Sequence, residues 1–306
     1  MAEPAPQAVA AIDCGTNSTR LLVSAGGVDQ VRLMRITRLG QGVDATGKLD
    51  PDALSRTLEV LAEYRELMDA HRVARARLVA TSAVRDAENG DEFLSSARGV
   101  TAVEAELLSG EEEGILAFAG ATASLDVPAD RTVTIDIGGG STELVTADPA
   151  VRAVSLDLGC VRLTERFLRH DPPTRPELDA AAAHVRRELD GAAATVPALA
   201  RPGLHLVGLA GTVSSLGALA QGLSHYDRDR IHHFVLAAPV VEEWCERLAA
   251  ESSAERAGHA GLAPGREDVI VGGVVVLIET MRRFGFSSCL VSEADLLDGL
   301  VASLLQ

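Results

Sequence analysis

Val133-Thr134-Ile135-Asp136-Ile137-Gly138-Gly139-Gly140-Ser141-Thr142-Glu143-Leu144-Val145 is the stretch whose reading decides the fold. A β-branched apolar run ends in an acid and three glycines, the mark of a strand entering a turn from which side chains are excluded. Consecutive glycine amides can point at an anion, and Ser141 and Thr142 add hydroxyl donors, so the expected guest is a phosphate. The residues from Glu143 to Thr146 continue as a second strand rather than a helix. That separates the motif from P-loops and dinucleotide fingerprints, both of which open a helix.

The same pattern occurs earlier in the chain. Ile12-Asp13-Cys14-Gly15-Thr16-Asn17-Ser18-Thr19-Arg20-Leu21-Leu22-Val23 aligns without a gap on Ile135 to Thr146, with Ile, Asp, Gly, Ser, Thr and Leu in the same places. A repeat spaced so widely is too long for a solenoid unit and suits two related domains, each presenting a phosphate hairpin to a shared cleft. One position differs in charge: Arg20 in the first copy is Glu143 in the second. A cation for phosphate and an anion for a metal divide the work of a phosphate site.

Composition narrows the classes of function. With 306 residues the chain is long enough for two cores, and an apolar content of 47% with only 3% aromatics makes those cores aliphatic. A net charge of -16 argues against nonspecific binding to nucleic acid or to anionic membranes, while leaving room for a locally positive cleft. Cys14, Cys160, Cys245 and Cys289 stand far apart without a C-x-x-C pair, as expected for reduced thiols in the cytoplasm. The N-terminus lacks the pattern of a signal peptide, and the longest apolar run, Val269 to Ile278, is too short to span a bilayer.

Further along the chain, Gly42 to Lys48 imitates a P-loop and contains the only lysine, but Leu49 stands where a hydroxyl must hold magnesium, so the segment reads as a loop. Asp50 is predicted to cap a helix reaching about Asp69. The strand Ala76 to Ala80 delivers Arg85 in a polar loop, a place where α/β sheets put ligand contacts. Ser109 and Glu112 form a capping box, leaving Glu113 as the surplus carboxylate of that first turn and a candidate to take a proton from water. Gly208 to Thr212 reads as another close-approach turn, between a strand and the helix Val213 to Leu223. His232-His233 has no acid or cysteine at ligand spacing and is not expected to bind metal. Residues 1–7 read as a disordered lead.

Taken in order, these segments resemble the exopolyphosphatase / guanosine pentaphosphate phosphohydrolase family, within the actin, hexokinase and heat-shock chaperone superfamily. The resemblance rests on Ile12 to Val23, Ala80 to Arg85, Leu108 to Glu113, Ile135 to Val145, Gly159 to Arg162 and Gly208 to Thr212, and so spans nearly the whole chain. It implies an α/β architecture of two actin-like (ribonuclease H-like) domains facing across a central cleft. The expected boundaries are 1–125 and 126–306, with a terminal helix at 294–306 returning to pack on the first domain.

By the same resemblance Glu113 is the catalytic base, and Asp136 and Glu143 are the acids of a magnesium (Mg2+) or manganese (Mn2+) site. Asp13, Gly15, Thr16, Asn17, Ser18, Arg20, Arg85, Gly138, Gly139, Gly140, Ser141, Thr142, Gly211 and Thr212 correspond to phosphate-binding positions. The implied reaction is hydrolysis of a terminal phosphoanhydride by an in-line water. Inorganic polyphosphate is the expected substrate, guanosine pentaphosphate (pppGpp) is the alternative, and a homodimer is left open. Two rivals are a catalytically silent nucleotide- or alarmone-binding protein and a sugar or acetate kinase on the same scaffold. Longer family members carry a C-terminal helical extension for which this sequence has no room before Gln306, which puts in doubt the processivity and the dimer built around that extension.

Overall fold

The computed structural model describes residues 7–123 and 125–305; of the expected N-terminal lead, only Gln7 lies among them. The chain divides into two compact units, one comprising Met1–Gly120 with Leu296–Gln306 and the other Ala121–Asp295. Each is an α/β unit built on one sheet.

In the first unit β1 (Ala8–Cys14), β2 (Ser18–Ala25) and β3 (Val28–Ile36) form an antiparallel meander. β4 (Arg75–Ala80) and β5 (Ala105–Leu107) then add in parallel on the other side of β1, giving the order β3-β2-β1-β4-β5. The central β1 is buried along its whole length, as a strand covered on both faces should be, whereas the edge strand β3 is half-exposed. The helix Pro51–Ala70 starts where the sequence predicts: the Asp50 carboxylate accepts from the amides of Asp52 (2.9 Å) and Ala53 (3.1 Å), and proline fills the first helical position. It buries Leu61, Tyr64 and Met68, and the Tyr64 hydroxyl donates to the Thr19 carbonyl (2.9 Å), tying the helix to β2.

The helix Gly110–Thr122 opens on the predicted capping box, in which Glu112 accepts from the Ser109 amide (3.0 Å) while the Ser109 hydroxyl accepts from the Glu112 amide (3.2 Å). The last helix, Leu296–Leu305, packs against β1, β2 and β4 and against the helix Gly110–Thr122. Two local expectations change. The P-loop imitation contains a single helical turn, Val43–Thr46, closed by Gly47 at φ 68°, so its backbone folds on itself. Arg85 ends a short helix, Ser82–Arg85, instead of a polar loop, because the Thr81 carbonyl accepts the amides of Val84 and Arg85.

The second unit repeats the plan. β6 (Thr132–Ile137), β7 (Thr142–Thr146) and β8 (Arg152–Leu156) form the meander, and β9 (His205–Leu209) lies parallel to β6. Beyond β9 come β10 (Val235–Ala237) and β11 (Ser288–Val291), in the order β10-β11-β9-β6-β7-β8. β10 is unanticipated; its three residues are too few to show a period. The helix Ala210–Ala220 begins earlier than expected. Ala210 itself takes φ 64°, so the chain turns within one residue and Gly211 and Thr212 fall in the first helical turn. The apolar helix Ile270–Phe284 is buried among the helices Cys160–Phe167, Arg175–Thr195, Ala210–Ala220 and Ala238–Ala250.

Gly299 provides a test of the terminal helix. A Cβ there would lie 2.0 Å from the Leu116 carbonyl oxygen, so Gly299→Ala is expected to destabilise the protein by about 1–3 kcal/mol. Intrinsic helix propensity favours alanine by about 1 kcal/mol. A urea midpoint that rises in Gly299→Ala would show that the contact is not as close as described.

Candidate phosphate site

The two hairpins are alike in detail. Asp13 pairs with Arg20 across β1 and β2, and Asp136 pairs with Glu143 across β6 and β7. The Gly15 amide donates to the Ser18 carbonyl and the Gly138 amide to the Ser141 carbonyl, both at 3.0 Å. Directly opposed residues in an antiparallel pair project to the same face, so each hairpin presents one charged pair beside its turn.

The pairs differ as their charges require. In the first unit the Arg20 guanidinium donates to Asp13 Oδ2 through Nε (2.9 Å) and Nη2 (2.7 Å). In the second unit both partners are acids, and both are buried. Glu143 accepts from the Ser155 hydroxyl (2.7 Å). Two adjacent buried carboxylates repel unless a cation or a proton relieves them. Hard oxygen donors of this kind fit Mg2+, which is commonly held by one or two carboxylates with substrate phosphates and water completing its shell. Among the described residues no group of three or more His, Cys, Asp or Glu is placed to hold a metal. His232 and His233 instead stack on each other at 3.8 Å, and the Glu293 amide donates to His232 Nδ1 (3.0 Å).

In both units, backbone from the segment after the meander grips the hairpin turn. The Gly40 amide donates to the Thr16 carbonyl (2.8 Å), and the amides of Thr37 and Arg38 donate to the Asn17 carbonyl (3.1 and 3.0 Å). In the second unit the Cys160 amide donates to the Gly138 carbonyl (2.9 Å), and the amides of Val161 (2.9 Å) and Arg162 (3.1 Å) donate to that of Gly139. Neither grip leaves room for a side chain. A Cβ on Gly40 would lie 2.3 Å from Thr16 Cγ2, and one on Gly159 would lie 2.0 Å from the Gly139 oxygen. Leu39-Gly40 and Leu158-Gly159 are therefore a second element of the internal repeat, too short to recognise in the sequence.

The remaining motifs gather around these turns, unit by unit. In the first, the hydroxyls of Thr16 and Ser82 share a hydrogen bond (2.8 Å), bringing the short helix Ser82–Arg85 to the hairpin. Arg85 Nη1 donates to the Leu108 carbonyl (2.9 Å) and stands 3.9 Å from Glu113 Oε2. Glu113 is buried, in the first turn of its helix. In the second, Thr142 departs from expectation: it is fully buried and its hydroxyl donates to the Leu158 carbonyl, so it braces the grip instead of offering a donor to an anion. Thr212 is buried against Gly273.

Arg266 is a cation that the sequence reading passed over. Its Nη1 occupies the place a Cβ on Gly211 would take, only 1.1 Å away, so the missing side chain at Gly211 is what admits the guanidinium. Burial pushes the Cys160 thiol up to about 11, against a smaller opposing pull from Arg266. Burial, with the charge of Asp13 adding to it, raises Cys14 well above the ordinary thiol range; neither cysteine is a ready nucleophile.

The chain belongs to the Ppx/GppA phosphatase family, whose model matches residues 26–306. It is 45% identical over 315 aligned residues to exopolyphosphatase 2 of Mycobacterium tuberculosis, covering 97% of this chain and 98% of that protein. Among solved structures, an exopolyphosphatase-like protein superposes with a TM-score of 0.93 at 37% identity, over 97% of this chain and 98% of the other. The Ppx/GppA family member of Aquifex aeolicus gives a TM-score of 0.81 at 33% identity, over 98% and 97%.

Gly211→Ala separates stability from anion binding. The atom in the way is the end of a flexible side chain, so the unfolding free energy is expected to stay within about 0.5 kcal/mol of the parent. The displaced Arg266 should weaken pyrophosphate binding measured by calorimetry. Unchanged binding in a variant that folds normally would remove Arg266 from the site.

Proposed function

We propose that the chain is an exopolyphosphatase, hydrolysing the terminal phosphoanhydride of inorganic polyphosphate and releasing orthophosphate. The observation that carries the reading is the pairing of Glu113 with Arg85. A buried carboxylate in a helical first turn lies 3.9 Å from a guanidinium, next to a hydroxyl-lined hairpin turn, in a chain of the Ppx/GppA family.

In this mechanism Glu113 takes a proton from the attacking water. The carboxylate that accepts it stands in the first turn of a helix, 3.9 Å from the Arg85 guanidinium. Arg85 contacts the phosphoryl oxygens, where charge gathers during transfer. The Gly15 to Ser18 turn contributes to holding the substrate chain, with Arg20 bound to Asp13 as a fixed local charge. In the second unit, amides of Gly139, Gly140 and Ser141 bind phosphate, supported by Arg266 at Gly211. Asp136 and Glu143 would hold Mg2+ or Mn2+. When bound, the metal supplies charge neutralisation on the phosphates and a lower pKa for water.

The relative named exopolyphosphatase 2 supports polyphosphate as the substrate. The net charge of -16 supports a small polyanion held in a local site over a nucleic acid. Cytoplasmic placement is proposed on the free cysteines Cys14, Cys160, Cys245 and Cys289. Among the described residues no helix is long and apolar enough to cross a membrane.

Phosphate release by the purified protein with Mg2+, offered polyphosphate and pppGpp at matched phosphate, is the test. Glu113→Gln is expected to lower kcat on polyphosphate by roughly 10²- to 10⁴-fold, and chelation of the metal should abolish release. Release chiefly from pppGpp would replace polyphosphate with the nucleotide. Release that does not depend on Glu113 would overturn the mechanism.

A further inference from the structure

Of the segments that carry the family resemblance, Gly159 to Arg162 is the one to which the proposed chemistry gives no task. Its geometry suggests one. The amides of Cys160, Val161 and Arg162 donate to the carbonyls of Gly138 and Gly139, and Arg162 Nε donates to the Gly140 carbonyl at 2.7 Å. Three successive carbonyls of the turn thus face the start of the helix Cys160–Phe167. In a trans peptide the carbonyl and the next residue's N–H point in opposite directions. The amides of Gly139, Gly140 and Ser141 are therefore turned together, away from that helix. Two of the three peptides are set by backbone donors. The third, between Gly140 and Ser141, is set by a side chain.

We propose that Arg162 is a positioning residue of the phosphate hairpin, acting through its Nε hydrogen bond to Gly140 rather than through its charge. The bond fixes the Gly140-Ser141 peptide so that the Ser141 amide joins those of Gly139 and Gly140 in one anion-binding array. In the first unit the turn carbonyls at Thr16 and Asn17 accept from the backbone amides of Gly40, Thr37 and Arg38. The side-chain clamp belongs to the second unit, where the buried acids Asp136 and Glu143 stand beside the turn and repel an anion unless amides and a cation outweigh them. This inference rests on the reading of the second hairpin as a phosphate site.

The substitution that isolates the bond is Arg162→Gln. Glutamine Nε2 lies the same number of bonds from Cβ as arginine Nε, so it returns an N–H donor to that position without the charge. Arg162→Met keeps the length and removes the donor. Two measurements are made on each variant, polyphosphate hydrolysis with Mg2+ and the amide NMR shifts of Gly139, Gly140 and Ser141 on addition of tripolyphosphate. Arg162→Met is expected to lose about tenfold to a hundredfold in kcat and to lose the Ser141 amide response. Arg162→Gln is expected to stay within about threefold of the parent and to keep the response, a tenfold step being about 1.4 kcal/mol of barrier.

If the glutamine variant falls as far as the methionine variant while both unfold at the parental temperature, the charge is what matters and the proposal fails. It fails equally if the methionine variant behaves as the parent, or if the parental amides do not respond to tripolyphosphate. A parent whose amides respond but which releases no phosphate would overturn the hydrolase reading and leave the role of Arg162 to be decided by the amide shifts.

Discussion

The candidate site depends on the rigidity of the peptide unit. A carbonyl bound on one side of a planar trans peptide sends its N–H to the other, so whatever grips a turn from behind decides what the turn offers in front. Both hairpins are gripped in this way, by Thr37 to Gly40 in one unit and by Cys160 to Arg162 in the other. The grip also explains glycines that neither a left-handed conformation nor a ligand demands. Gly40 and Gly159 lack side chains because the gripped turn already fills the space, with the Thr16 side chain at Gly40 and the Gly139 backbone at Gly159. Conformational freedom is needed elsewhere, at Gly47 and Gly285, where helices end at φ 68° and 74°.

Register is the second determinant. One pairing of β1 with β2 places an acid opposite a base, and the corresponding pairing of β6 with β7 places an acid opposite an acid. A slip of one residue would move each set to the other face of its sheet. The sheets themselves are thus part of the chemistry. The first hairpin carries an ion pair, and the second sets two buried acids opposite each other, oxygen donors of the kind that suit a divalent cation.

The strand-turn-strand pattern was legible because apolar alternation, an acid and a glycine turn all fall within a dozen residues, and because they occur twice. The caps at Asp50 and Ser109 were legible for the same local reason. What escaped the sequence depends on approach between distant segments. Nothing in Leu39-Gly40 or Leu158-Gly159 marks it as a clasp, and nothing near Arg266 shows that it will lie against Gly211, more than fifty residues earlier. Thr142 was misread because a hydroxyl beside a phosphate turn has two possible faces; in β7 it points to the Leu158 carbonyl. Glu113 was separable from its acidic neighbours only after Glu112 had been assigned to the cap.

The placement of the helix Leu296–Leu305 against β1 bears on how the chain is made. The second unit is continuous, from Ala121 to Asp295, and every strand of its sheet precedes that helix in the chain. The first unit begins before the second, yet the helix that covers β1 follows the whole of the second unit in the chain. The half that is translated first is therefore the half that is completed last, and an apolar strand buried along its whole length in the finished protein must wait for its cover through nearly all of synthesis. During that interval β1 is the natural place for a chaperone to bind, and loss of the helix Leu296–Leu305 would spoil the first unit while sparing the second.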